Sequence, residues 1–454
     1  MKKYFIFVLI LFLSAGTIFA QKKLTLKEAI NIALQKNTTL IKTSNSLKSS
    51  KAAIKSAYGR LLPNLSVSGS WNWSRINDKG GTQIDFLGNE KILPASQVDT
   101  RNYSLRAGGG VTLFDGLSNF ANIHKSKDTY EAAKYTLERL KQNIVYKTIE
   151  LYYSVISAKE LLKVRKENVN YNKKLLEDIM VRNKLGAVAI ADVYTQKVQY
   201  GNAQVQYINQ KNVYENAKSN LLDYLAIDVL ADYDLENPFK NVVKVDTKKY
   251  LTRFDNVKAM VGKALNNRYD YFSQKLTLNS RYEDLTIAKS GFYPTLSANY
   301  GLSTNALKTS SLFDRKVWSA GLSLQIPIFS NFRTSTNIQV AKVGIENSKE
   351  DLTALERQIK IQIKQGWLDL LASKEALQVS YENVKSSLEN RKINDERYRL
   401  GSATILDVLQ SARDYQNAES SKINAEFNFY KLSDKLLNLM GLLDYKQYVN
   451  VGDK

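Results

Sequence analysis

The chain has 454 residues, and 65 Lys and Arg against 44 Asp and Glu give it a formal net charge of +21. It has no Cys and a single His, which excludes disulfides, thiolate zinc sites, cysteine nucleophiles and metal sites built from several His. Only five Pro occur in the whole sequence, and because Pro interrupts regular elements this scarcity predicts long unbroken ones.

The first 20 residues have the organisation of a secretory signal peptide. Lys2 and Lys3 precede an apolar run from Tyr4 to Leu13, and small residues then lead to Ala20. The apolar run is too short to cross the ~30 Å hydrocarbon core of a bilayer comfortably as a helix. We therefore predict that residues 1–20 are an export signal, cleaved after Ala20.

Two halves of the sequence repeat one another. The segment 182–193 (RNKLGAVAIADV) matches 397–408 (RYRLGSATILDV), and 61–66 (LLPNLS) matches 292–297 (FYPTLS) in the same order. Matches that keep their order along the chain predict an internal duplication. Three segments follow the signal: a first repeat over 21–227, an inter-repeat segment over 228–247 and a second repeat over 248–454.

Four segments alternate between apolar residues and Ser, Gly or Asn, which is the pattern of a strand with one buried face. They lie at about 64–75, 101–113, 295–303 and 316–328. A soluble sandwich and a transmembrane barrel would both produce this pattern. Each segment has about the ten residues that a tilted transmembrane strand needs, which favours the barrel.

Aromatic residues near the loop-side ends of these strands also favour the barrel. Trp71, Trp73, Tyr103 and Trp318 lie on the apolar faces, where an aromatic belt meets the membrane interface. Four strands cannot close a barrel, because about eight are needed merely to enclose side chains. Several chains must therefore contribute strands, and a trimer would supply twelve.

Two long helical patterns run from about 119 to 185 and from about 334 to 400. Apolar residues recur in them with gaps of three and four, as in Leu137, Leu140 and Ile144. Each pattern stops at Leu-Gly, and a second helix follows, so each repeat should contain an antiparallel helical hairpin. The predicted hairpin tips lie at 185–191 and 400–406.

An exported, duplicated chain with two strand pairs and two long helical hairpins resembles the TolC-type outer membrane efflux protein family. The most specific stretch is 398–410 (YRLGSATILDVLQ), which resembles the family's second hairpin tip, and 182–193 resembles the first. The resemblance implies a mainly α fold with β-strands. Three such chains form a twelve-stranded transmembrane barrel and a periplasmic coiled-coil tunnel.

The resemblance further implies an outer membrane exit duct of a tripartite efflux or type I secretion system. Its implied partners are two other copies of the chain, outer membrane lipids, a periplasmic adaptor (membrane fusion) protein and an inner-membrane pump. No enzymatic activity, cofactor or metal is implied. An alternative is a barrel-anchored coiled-coil adhesin or structural envelope protein. The dispersed Lys and Arg and the export signal argue against nucleic acid as a partner.

Residue roles are implied only at the two tips. Asp407 matches an acidic residue near the family's periplasmic constriction, with Gln410 one turn further on. Asp192 and Thr195 are their counterparts in the first hairpin. An Asp at this position also caps a helix N-terminus, so a structural role stays open beside the pore role. The pairs matching positions implicated in adaptor docking are Leu185-Gly186 and Leu400-Gly401.

Overall fold

The computed structural model describes residues 22–240, 242, 244–254 and 256–446, so the predicted signal peptide lies outside the described residues. The chain divides into two compact units. The sheet unit comprises residues 45–135 and 272–354. The helical unit comprises the described parts of 1–44, 136–271 and 355–454. None of the helices in these parts combines the length and hydropathy that a membrane crossing requires.

The regular elements of the chain are, in order from the N-terminus, β1 (Lys22–Leu24), α1 (Leu26–Lys36), α2 (Thr38–Gly59), β2 (Ser66–Asp78), β3 (Gly81–Ile84), β4 (Glu90–Leu93), β5 (Ser96–Phe114), α3 (Ser118–Lys184), α4 (Ile190–Tyr224), β6 (Tyr233–Leu235), α5 (Thr247–Leu251), α6 (Val257–Asn267), α7 (Tyr269–Ser290), β7 (Thr295–Ala306), β8 (Lys316–Gln325), α8 (Arg333–Arg399) and α9 (Ile405–Leu439).

Corresponding helices of the two halves have equal lengths. α1 and α6 have 11 residues each, and α2 and α7 have 22. The long helices α3 and α8 have 67 residues each, about 100 Å at 1.5 Å per residue, and their partners α4 and α9 have 35. The boundaries assigned to the repeats and to the inter-repeat segment stay predictions.

The sheet unit contains one antiparallel sheet in the order β2-β5-β7-β8. Its register pairs Trp71 with Tyr103 and Leu302 with Trp318, so residues of the predicted apolar faces share one side of the sheet. Within the described residues, the outer edges of β2 and β8 have no partner strand. An unpaired edge exposes backbone N–H and C=O groups that another strand can bind.

The strand ends differ from the predicted ones. β2 runs to Asp78 and β5 begins at Ser96, so the predicted 64–75 and 101–113 are too short and part of the intervening loop is strand. The reason is that the apolar alternation breaks down beyond Trp73. Arg75 and Asp99 form an ion pair on the apolar face, and Ile76 pairs with Val98 on the opposite face. β7 likewise continues to Ala306. β8 stops at Gln325 instead of 328, before Pro327, which lacks the N–H needed for a ladder.

The helical unit holds the inter-repeat segment against its long helices. β6 pairs with β1 in parallel, and the buried Tyr152 hydroxyl lies 2.8 Å from the Leu24 oxygen and 2.6 Å from the Glu236 oxygen. Phe239 stacks on Tyr430 with 3.7 Å between ring centroids. Aromatic stacking and satisfied backbone carbonyls therefore fix this segment onto α3 and α9.

One carboxyl group in the helical unit links folding stability to pH. Asp434 is partly buried, and burial raises the pKa of its carboxyl to about 6, although Tyr153 donates a hydrogen bond to it and Arg253 lies nearby. The folded chain therefore holds a proton between about pH 4 and pH 6 that the unfolded chain releases. We expect this contribution, about 2 kcal/mol after allowance for partial exposure, to be lost as the pH rises through that window.

The Asp434 effect is measured by urea unfolding of the full chain in detergent at pH 4.5 and pH 7.5. The Asp434→Asn variant removes the titrating group and keeps its size. Its stability should change less between the two pH values than that of the parent chain. An identical change in both proteins would show that Asp434 does not carry the effect.

Candidate functional site at the hairpin tips

The second hairpin turns between the end of α8 and the start of α9. Gly401 has φ +75°, in the left-handed region that Gly adopts without strain. Its N–H donates to the Tyr398 oxygen at 3.1 Å, and the Ser402 N–H donates to the Arg397 oxygen at 2.8 Å. These bonds satisfy the last carbonyls of α8, as glycine-terminated helices do. Leu400 beside them is 74% exposed.

The first hairpin tip repeats this geometry. Gly186 also has φ +75°, and its N–H donates to the Asn183 oxygen at 2.9 Å. The Ala187 N–H donates to the Arg182 oxygen at 2.9 Å, and Leu185 is 79% exposed. The structure thus places each predicted docking pair at a tip, with an exposed Leu directly before a left-handed Gly.

Thr404 caps the start of α9, and Asp407 three residues later completes the capping box. Its carboxylate accepts hydrogen bonds from the Thr404 N–H at 2.8 Å and the Thr404 hydroxyl at 2.7 Å, while the Asp407 N–H donates to the Thr404 hydroxyl at 3.3 Å. The Thr404 backbone hydrogen bond, followed by the hydroxyl, holds the pKa of Asp407 below its usual range. Gln410 is also exposed and donates to Asp414 at 2.9 Å.

The start of α4 lacks this cap. Ala189 occupies the capping position and has no side chain that can accept, so the Asp192 N–H donates only to the Ala189 carbonyl at 3.1 Å. Asp192 and Thr195 are partly buried, whereas Asp407 is exposed. The two acidic positions matched by the repeat therefore differ in both capping and solvent contact.

The two tips pack against each other within one chain. Val188 and Val193 of the first tip contact a buried cluster, and Arg182 donates to the Arg399 oxygen at 3.4 Å. The buried members are Ile179, Tyr398, Ile405, Val408 and Leu409. Because the cluster draws on both hairpins, movement of one tip would disturb the other.

Tyr398 is a tip residue that sequence reasoning did not single out, although it begins the family-like stretch. Its hydroxyl is buried and has no hydrogen-bond partner among the described residues. Burial, followed by the nearby Asp192 charge, raises the pKa of its phenol, and the Arg182 guanidinium lies 5.6 Å from its ring centroid. Tyr398 thus brings Asp192 and Arg182 into one electrostatic group, which repeat matching alone does not indicate.

The predicted aromatic belt lies on the apolar face of the sheet. Trp71, Trp73 and Trp318 are 58%, 50% and 78% exposed, and Tyr103 is half-buried. Large apolar side chains this exposed are typical of a surface that contacts lipid or another protein. In the described part of the chain, no group of three or more acidic, His or Cys side chains is arranged to hold a metal ion.

Known proteins with the same fold are outer membrane channels. The family model described as outer membrane efflux protein matches residues 29–226 and 260–442. The outer membrane protein TolC of Vibrio cholerae serotype O1 is 20% identical over 434 residues, which cover 94% of this chain and 92% of that protein. The solved outer membrane protein VceC of Vibrio cholerae has a TM-score of 0.75 at 16% identity, covering 92% of this chain and 96% of that chain. The CmeC outer membrane channel of Campylobacter jejuni has a TM-score of 0.75 at 17% identity, covering 94% and 90%.

The family model covers most of the chain, so this chain belongs to the outer membrane efflux protein family. It is an outer membrane protein and serves as an exit duct for efflux. These findings confirm the predicted family, mainly α fold class, location and function. The relatives are channel proteins, which agrees with the absence of a predicted enzymatic activity. The roles of the tip residues and of the aromatic belt stay predictions.

Proposed function

We propose that three copies of the chain form a closed duct whose sheets join into a twelve-stranded transmembrane barrel. The observation that carries this proposal is the combination of two unpaired edges, on β2 and β8, with an exposed apolar face. Pairing β2 of one copy with β8 of the next satisfies both edges at once. Twelve strands also exceed the number at which a barrel begins to enclose space.

The hairpin tips form the gate of this proposed duct. Asp407 is exposed, and three-fold symmetry would place three copies of its carboxylate around one axis, with Gln410 one turn further along α9. A ring of like charges attracts cations and repels anions. Because the tips of one chain share a buried cluster, each chain would move its two tips together when the duct opens.

A periplasmic adaptor docks on the tips, and an inner-membrane pump supplies the energy. The support is the exposed Leu185 and Leu400, each beside a glycine that adds no side chain. An apolar side chain next to bare backbone lets a partner helix approach closely. The sequence contains no phosphate-binding loop, so the duct itself is passive.

Cysteine cross-linking tests the proposed trimer, because the native chain has no Cys. Single Cys residues along β2 are combined in turn with single Cys residues along β8 in the full chain. Oxidation should join neighbouring copies into species of two and three chains and no more. Single chains in every combination, or an open-ended ladder of larger species, would overturn the closed trimer.

A matched control pair lies within one chain. The Ser70 and Ser104 hydroxyls are 2.7 Å apart on paired strands. With Ser70→Cys and Ser104→Cys together, a disulfide should form and leave the protein at the size of one chain. This control separates failed oxidation from absence of the neighbouring copy.

A further inference from the structure

The apolar face of the sheet carries a row of basic side chains. Each of three belt aromatics is followed, two residues nearer the connecting loop on the same strand, by a cation. The pairs are Trp73 with Arg75, Tyr103 with Arg101, and Trp318 with Lys316. Residues two apart on a strand point to the same face. We name Arg75, Arg101 and Lys316 the basic row.

The basic row has an excess of positive charge, and one of its three side chains, Arg75, is held in place by an ion pair with Asp99. Arg75 donates to both Asp99 oxygens, at 2.7 and 2.8 Å, and its guanidinium lies 5.5 Å from the Trp73 ring centroid. Arg101 lies opposite Trp73 in the strand register. In the part of the chain that the structure describes, neither Arg101 nor Lys316 has an ion-pair partner. Three cations therefore share a single carboxylate on this face.

The placement of the row matches the chemistry of a membrane surface. Aromatic belts lie at the level of lipid headgroups. A residue two positions further along a strand lies about 6.6 Å beyond, where the charged part of the headgroup begins. Guanidinium groups bind phosphate oxygens through two parallel hydrogen bonds, and a Lys ammonium binds them as a point charge.

The long helices α3 and α8 follow the ends of β5 and β8 opposite the connecting loops, so with periplasmic helices the loop-side end of the sheet lies in the outer leaflet. We propose that Arg75, Arg101 and Lys316 bind the phosphate groups of lipids in that leaflet. Asp99 holds Arg75 in a fixed position on the Trp73 ring, while Arg101 and Lys316 supply the uncompensated charge. The proposal rests on the duct proposed above, since it requires the apolar face of the sheet to face lipid. It adds a specific lipid chemistry that the barrel alone does not demand.

The test measures lipid binding to the full chain in neutral detergent by native mass spectrometry. The probes are lipid A with two phosphates and the same lipid A after removal of both. The phosphorylated form should bind at least about tenfold more tightly. Each of Arg101→Gln and Lys316→Gln should weaken its binding about fivefold, the usual effect of one basic side chain at an anionic surface. The Arg101→Lys variant, which keeps the positive charge, should retain most of the lipid A binding that Arg101→Gln loses.

The matched control is Arg106→Gln. Arg106 lies on β5 like Arg101, but it pairs with Ser68 on the polar face. This variant should bind phosphorylated lipid A as the parent chain does. Equal binding of the two lipid A forms, an equal loss in Arg106→Gln, or full displacement by inorganic phosphate at the same concentration would overturn the lipid site.

Channel recordings distinguish this inference from the proposed duct. The lipid variants should conduct normally in planar bilayers, because the basic row lies on the face away from the proposed lumen. Normal conductance without phosphate-dependent lipid binding would count against the lipid site alone. A parent chain that forms no channel would count against the duct.

Discussion

Gly401→Arg is expected to abolish efflux while the chain stays folded and reaches the outer membrane. Gly401 adopts φ +75°, and a Cβ built there meets no atom within 4 Å. A larger residue therefore costs about 1–2 kcal/mol of local backbone strain but overlaps nothing in the chain. Its side chain would instead project beside the exposed Leu400, from the surface proposed to dock the adaptor. The measurement is efflux by cells that depend on this duct, with the folded assembly quantified in the membrane.

Two matched variants separate strain from obstruction in this experiment. Gly401→Ala imposes the same left-handed backbone with one methyl group, so it should retain most of the efflux. Gly186→Arg places the same bulk on the first tip, where a Cβ again meets nothing within 4 Å. Normal efflux with Gly401→Arg would reject the docking role. Equal losses with Gly401→Ala and Gly401→Arg would assign the effect to strain.

The sequence predicts the main strands and helices because the spacing of apolar residues within each element depends only on the geometry of that element. Alternation with a period of two reflects the geometry of one strand, so it indicates which residues share a face before any partner strand is known. This reasoning misses the loop-side ends of β2 and β5, where apolar and polar residues no longer keep to separate faces. There the strands continue through pairs such as Arg75 with Asp99, which lie 24 residues apart. Only the register brings these residues together.

The tips likewise combine features with a local cause, which the sequence predicts, and contacts between distant residues, which it does not. A Leu-Gly pair at the end of a helical pattern predicts a left-handed turn, and Thr404 three residues before Asp407 fits a helix cap. Contacts between the hairpins depend on how two helices of different repeats pack. Ile179 and Tyr398 are far apart in the sequence, in different repeats, yet share one cluster. Helical periodicity marks each apolar stripe and leaves its partner unspecified.

Asp407→Asn is expected to remove the block of the channel by divalent cations. In the proposed trimer, three exposed Asp407 carboxylates face one axis, and a ring of negative charge concentrates cations at a constriction. The hydrogen bonds from Thr404 hold the pKa of Asp407 below its usual range, which favours the charged carboxylate. Recordings in planar bilayers should require at least about tenfold more divalent cation for half-block once this charge is gone.

The cap at the start of α9 provides the control that decides between the structural and the pore role. In the Asp407→Asn variant, the amide oxygen of the new side chain can still accept from the Thr404 N–H, so the cap is kept and the charge is lost. Thr404→Ala does the reverse, because it deletes the hydroxyl that accepts from the Asp407 N–H and leaves the carboxylate in place. A pore role requires loss of cation block in Asp407→Asn and its retention in Thr404→Ala. The opposite result would show that Asp407 acts only through the helix cap, since cation block would then follow the shape of the tip rather than its charge.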